Sequence, residues 1–464
     1  MVSLSFIGLA TESMYLIGVP ALLLVGYWAL VDVKNIFWLL LFSVPLSVEV
    51  PLSTSLATDL PTEPLMVALM GISFIWFLKH GLQLRTHFLK HPMTLLILLH
   101  IGWAITTTIA SDNFLVSFKW TLAKFWYIIS FYFLVGLFIK KKEDFKKLVW
   151  IISIPLTFAL LQFYVRFGML GFAFDKVNKV TWPFFRNHVN YAAILAVFIP
   201  YIYFAREWYQ KHSFNRRTLT FIFLLVLVGV YLSYTRAAYG SLMIAVGTYF
   251  LVRWRLTKLA ISLSLIVGLL VVIHLATNDT YLDYAPTFEK TITHHDFGNL
   301  LEATSKGEDV STMERVYRWV GGIFMFIENP VMGFGPGNFY NFYRDYALNA
   351  FKTYVSNNPD RSSIHCYFLL LLCEQGLPGM LIFMAMSIYG LILGERIYHR
   401  SKDPFIQYFA MAIVLSLITI LSFLLINDMM ESDKVGSFYF IGLALLVRLD
   451  LMCDNSAQKL NTIL

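Results

Sequence analysis

The chain has 464 residues, 58% hydrophobic and 17% aromatic, with a mean hydropathy of +0.65 and a formal net charge of +7. Apolar runs of this density exclude a soluble globular domain, and the absence of sustained period-two alternation excludes a β-barrel, so the chain reads as an all-α polytopic membrane protein. The positive charge follows from membrane topology, and no nucleic-acid partner is needed to explain it.

Apolar segments predict spans, in chain order, near Met14–Val31, Ile36–Val50, Glu63–Leu78, Met93–Ala110, Lys119–Ile139, Leu148–Phe167 and His188–Ala205. They continue near Thr218–Ser233, Ala237–Val252, Thr257–Thr277, His365–Leu393, Phe405–Ile426 and Val435–Val447. That makes about 12–13 transmembrane helices in a single domain covering 1–464. Ile36–Val50 and Val435–Val447 are short for a helix that must cross about 30 Å of hydrocarbon. The first 33 residues hold no Lys or Arg, so no signal-peptide n-region is expected and the first apolar segment should be retained. The densest basic cluster, Lys140 to Lys147, marks the cytoplasmic side. By span parity the segment 278–364 is then one long, partly helical periplasmic loop. The lipid bilayer is thus the first partner.

Between Phe221 and Val252 the only charge is Arg236. The stretch is too long for one span, at about 48 Å, so two helices with a tight turn near Ser233 to Gly240 are expected. An arginine at that boundary is a functional-site candidate, although it could simply snorkel to head groups. Outer segments of the second half are cationic, through Arg186, Arg236, Arg315, Arg318, Arg344, Lys352 and Arg361 among others, which suggests an anionic ligand there.

Within the long loop, Ser311-Thr312-Met313-Glu314 matches a capping box. Val316, Trp319, Val320, Ile323 and Ile327 then recur at helical spacing, as in an amphipathic helix lying on the membrane or on the bundle. Arg315 and Arg318 share one face near its start, where backbone N–H groups also favour anions. Asn329-Pro330 should end the helix. Gly333-Phe334-Gly335-Pro336-Gly337 calls for a tight turn or close backbone approach.

His365 opens the next span, where a helix N-terminus would disfavour imidazolium and leave a neutral base. The competing reading is an interfacial histidine bonded to a loop carbonyl. Arg186 and Asn190 stand around the start of another span, and Lys124 reaches furthest into the membrane; all three are candidates for substrate binding, with snorkelling the alternative for Lys124. His294-His295-Asp296 has no third ligand at metal spacing and reads as a solvated loop. No phosphate loop, zinc motif or Asp-x-Asp is found, so no metal and no cofactor are expected, and arginines must hold any diphosphate.

The segments SYTRAAYGSLMIAVG, ERVYRWVGGIFMFIENPVMGFGPGNF and SIHCYFLLLLCEQGLPGMLIF resemble, in order and spacing, the O-antigen ligase/polymerase superfamily of bacterial envelope glycan transferases. FFRNHVNYAAILAVFIP is similar to that family's Arg…Asn-x-x-Ala segment. The resemblance implies a GT-C-like, metal-independent, inverting glycosyltransferase of the inner membrane, with its active site facing the periplasm. It implies an undecaprenyl-diphosphate-linked glycan as donor and lipid A–core or a glycan as acceptor. Arg236 and Arg315 match the family's diphosphate-binding arginines, and His365 its proposed base; here Cys366 follows the histidine, where the family usually has asparagine. Ligase is favoured over repeat-unit polymerase because the loop helix could approach a membrane-anchored acceptor. A transporter or flippase for an anionic substrate is the reading from another class.

Overall fold

The computed structural model describes residues 23–29, 31–53, 56–80, 87–277, 310–347 and 363–461. Most of the first predicted span, the histidine pair at 294–295, Lys352 and Arg361 lie outside them, as do the side chains of the predicted capping box. The described chain is a helical bundle with one two-stranded hairpin. Ten helices among the described residues are long and apolar enough to cross a membrane, which makes this a multi-pass membrane protein.

Helix α1, Val33–Ser43, is followed by a single 3-10 turn and then by strands β1, Val48–Ser53, and β2, Leu56–Leu60. The predicted span Ile36–Val50 is therefore shorter as a helix, and its last residues pair in a hairpin instead. Alternation in Val48-Glu49-Val50 suits a strand with one wet face. Five long helices follow: α2 (Thr62–His80), α3 (Pro92–Ile109), α4 (Phe114–Ile128), α5 (Lys142–Met169) and α6 (His188–Ala205). Next come α7 (Phe214–Tyr231), α8 (Arg236–Arg253) and α9 (Thr257–Ala276). The expected turn before Arg236 is present, with Tyr234 at φ 52°. α9 is apolar on all sides and almost entirely exposed, as a lipid-facing helix should be.

Beyond the long loop are α10 (Val310–Glu328), α11 (Phe339–Tyr346), α12 (Tyr367–Arg400), α13 (Pro404–Leu424) and α14 (Gly436–Asn461). α13 is the hub and packs against α6, α8, α12 and α14. Asp403 caps its start by accepting from Phe405 N at 3.0 Å, with Pro404 at the first helical position. Asp403 also pairs with Lys142 of the basic cluster. The far end of α13, 21 residues on, is about 30 Å away. The two ends of the bundle thus lie one hydrocarbon thickness apart.

α12 is broken at Gly376, φ 66° and ψ −173°. The glycine-rich turn repairs the break: Phe334 N donates to Cys373 O and Gly335 N to Glu374 O, both at 2.9 Å, and Leu377 N donates to Pro330 O at 2.8 Å. Buried Glu374 accepts from Gly337 N and Phe339 N at 2.9 and 3.0 Å. A Cβ at Gly376 would stand 2.1 Å from Val331 O, and one at Gly335 2.2 Å from Ser111 Oγ. The close backbone approach expected from the sequence is therefore real. Loop and broken span form one unit.

The loop helix lies on the bundle with part of its apolar stripe turned outward. α10 docks on α11 and α12 through Tyr317, Arg318, Val320, Gly321, Gly322 and Met325. Ile323 and Ile327, members of the predicted apolar stripe, are exposed. Gly322 lets the helix approach α12 closely, since Cys373 Sγ donates to Gly322 O at 3.2 Å. Val320 of that stripe and the two glycines thus share the buried face, while Ile323 and Ile327 point outward.

Candidate functional site

At the end of the bundle opposite Lys142, a cavity of about 880 Å³ opens between connections that are distant in sequence. Its walls come from the β1–β2 hairpin, the segment Trp182–Asn190, α10, the approach to α12 and the link Asn427–Lys434 between α13 and α14. Four of the seven residues singled out from sequence line it: Arg186, Asn190, Arg315 and His365. Arg186 and Asn190 are placed by the N-cap of α6, where Asn187 Oδ1 accepts from Asn190 N at 2.8 Å.

His365 stands just outside α12, at φ 57°, a conformation that costs a non-glycine residue about 1–3 kcal/mol. α10 holds the preceding backbone in place. Arg318 Nη1 donates to Ser363 O at 2.7 Å, and Trp319 Nε1 to Ile364 O at 3.1 Å. The same helix presents Arg315 to the cavity. Arg318, predicted to bind substrate, is buried behind the wall and acts on the loop that carries His365. Asp428 Oδ1 lies 4.0 Å from His365 Nδ1. Burial drives the imidazole pKa down to about 4; Asp428 works against this, and Arg315 and Arg318 reinforce it. The neutral imidazole expected from sequence thus rests on burial and neighbouring arginines. The helix N-terminus is not the main cause, since Cys366, not His365, is the N-cap.

The other predicted residues lie elsewhere. Arg236 is the first residue of α8 and is not in the cavity wall. Its turn adjoins the wall, because Thr235 Oγ1 donates to His188 O at 3.4 Å at the start of α6. Lys124 is buried and bonded to Glu431, which does line the cavity. His188, at the start of α6, stands 2.6 Å from Asn178 Oδ1 through its Nδ1.

Sequence reasoning missed the acidic wall. Glu49 and Asp59 are directly opposed across the hairpin, and Asp428, Glu431 and Asp433 come from the α13–α14 link. Asp433 accepts from Ser47 and Thr62 hydroxyls at 2.6 and 3.1 Å, while Lys434 Nζ donates to Ser47 O at 2.9 Å. This cluster ties the hairpin to the start of α14. Burial first, then Asp433, pushes the Asp59 carboxyl up to about 7, with Lys434 opposing. The lining set therefore holds five carboxylates, Glu49, Asp59, Asp428, Glu431 and Asp433, against the fixed cations Arg186, Arg315 and Lys434. The lining is thus mixed in charge. Among the described residues no three His, Cys, Asp or Glu side chains gather as a metal centre.

The family model described as O-Antigen ligase matches residues 221–384. That stretch contains Arg236, Arg315 and His365, and it bears out the resemblance read from the motifs. Over those residues the chain is similar to O-antigen ligases, and its long apolar helices make it a multi-pass membrane protein. No curated protein matches the chain.

Proposed function

We propose that the cavity transfers a glycan from undecaprenyl diphosphate to a sugar hydroxyl, on the periplasmic face of a bacterial inner membrane, with inversion and without a metal. The observation that carries this reading is the convergence of Arg186, Arg315 and His365 on one cavity, two of them inside the family match. Arg315 and Arg186, which line the cavity, hold the donor diphosphate and stabilise the charge that grows as it leaves, and Arg236 supports them from the adjoining turn. His365 takes the proton of the acceptor hydroxyl as that oxygen attacks the anomeric carbon, and Asp428 steadies the imidazolium that forms. Arg315 lowers the basicity of His365. A bound diphosphate cancels that field, so the base strengthens when the donor is loaded.

The acceptor we favour is lipid A–core, since α10 offers exposed Ile323, Phe324 and Ile327 beside the site for contact with a membrane-anchored molecule. Repeat-unit polymerisation uses the same donor half. The transporter reading is weaker, because the neutral imidazole and its carboxylate partner suit proton abstraction. Purified protein should be given undecaprenyl-diphosphate-linked glycan with either lipid A–core or a second repeat unit. A lipid A–core product with release of undecaprenyl diphosphate is expected. A longer undecaprenyl-linked chain instead would select the polymerase, and no release with either acceptor would contradict transfer.

A further inference from the structure

Glu431 belongs to the short turn Met429–Glu431 and faces the cavity, yet it is gripped from behind by two membrane helices. Its Oε1 accepts from Lys124 Nζ of α4 at 2.8 Å and from the Tyr367 hydroxyl of α12 at 3.1 Å. Lys124 is 5% exposed and Tyr367 1%. The Lys124 ammonium also lies 4.6 Å from the centre of the Trp120 ring. An ammonium at this depth is costly without a partner, and a partner at the cavity wall makes the pair more than an internal staple. Both donors converge on Oε1, and among the described residues no hydrogen bond reaches Oε2.

We propose that Glu431 is the anchor for a hydroxyl of the acceptor sugar, with Lys124 and Tyr367 as its positioning residues; this rests on the glycosyl-transfer reading above. The chemistry selects the ligand. A carboxylate is a strong acceptor for O–H donors, whereas a bare one would repel a diphosphate in the same cavity. Lys124 neutralises that charge, leaving an oriented acceptor oxygen with little net field. Location selects the acceptor half of the reaction. Tyr367 is two residues beyond His365, and Asp428, three residues before Glu431, is the carboxylate 4.0 Å from the imidazole. Glu431 therefore stands on the side of the base, where the attacking sugar must sit.

The test uses protein in lipid nanodiscs and three probes: lipid A–core oligosaccharide, the repeat-unit oligosaccharide freed from diphosphate, and undecaprenyl diphosphate. At least one saccharide should bind the wild type. Glu431→Gln and Glu431→Ala should weaken that binding about 10- to 100-fold, the range of a hydrogen bond to a charged group, with undecaprenyl diphosphate affinity unchanged. Lys124→Met should weaken it too, and Lys124→Arg should restore most of it. Because Glu431→Gln strands a buried ammonium, the double variant Lys124→Met/Glu431→Gln is measured alongside, with the same loss expected. Saccharide affinity unchanged in the folded double variant, or no saccharide binding by the wild type, would overturn the anchor. A wild type that binds saccharide through Glu431 but no undecaprenyl diphosphate would overturn the transfer reading and leave the anchor standing.

Discussion

The two sides of the cavity are built differently. The cationic side, Arg186 and Arg315 with His365, comes from segments whose residue order already resembles a family motif. The acidic side comes from a hairpin near residue 50 and a link near residue 430, joined by hydrogen bonds such as Ser47 to Asp433 across 386 residues of sequence. The first side suits a phosphate leaving group, and the second offers acceptors to sugar hydroxyls. The two sets meet at His365, whose imidazole lies 4.0 Å from Asp428 of the link, so the base stands where the phosphate-binding and sugar-binding groups join.

Removing the base should break this comparison most severely. His365→Ala is expected to lower transfer by about 10²–10⁴-fold while donor binding persists, and His365→Gln should not restore it; quench-flow turnover with a parallel donor-binding assay checks both. Arg315→Ala should reduce turnover by about 10²–10³-fold. Lysine at that position should rescue only part, since it lacks the planar fork, and full activity in the alanine variant would remove Arg315 from the diphosphate site.

Smaller effects sharpen the picture. Trp319→Phe deletes the bond to Ile364 O and keeps the ring, so kcat should fall by roughly fivefold, about 1 kcal/mol, with donor affinity unchanged. An unchanged kcat would mean that His365 keeps its left-handed backbone without that bond. Asp59→Asn should be visible in stability. The folded pKa of Asp59 is raised to about 7 from an ordinary 3.8, so its contribution is favourable in acid and is lost as pH rises through 7. The asparagine variant should therefore show a gain in Tm near pH 8 that shrinks as pH falls below 7 and vanishes only below the ordinary carboxyl pKa of 3.8; a gain of equal size at both ends would rule out the titration.

Much of the bundle is legible in the sequence, because unbroken apolar runs of span length have few alternatives in a membrane. The hairpin was not, since Val48–Val50 directly continues an apolar run and only pairing with Leu56–Leu60 turns it into a strand. The link Asn427–Lys434 was not either: eight residues between two spans carry no periodicity, and their roles exist only once Ser47, Thr62, Lys124 and His365 arrive beside them. Arg318 and Lys124 were visible as unusual charges, but sequence alone does not say whether such a charge faces a cavity or a partner behind its wall. The sequence left open whether α10 lies on the membrane or on the bundle; Gly321 and Gly322 decide it through a close approach to α12 that leaves Ile323 and Ile327 outward.

The central claim is that Arg315 and His365 share one cavity and one electrostatic field. The pH dependence of kcat/KM for the wild type, Arg315→Gln and His365→Ala tests it most directly. Arg315 depresses the imidazole pKa, so the acid limb of the residual activity in Arg315→Gln should move to higher pH than in the wild type, and it should be absent in His365→Ala. An acid limb that stays in place without Arg315, or that survives without His365, would contradict the account.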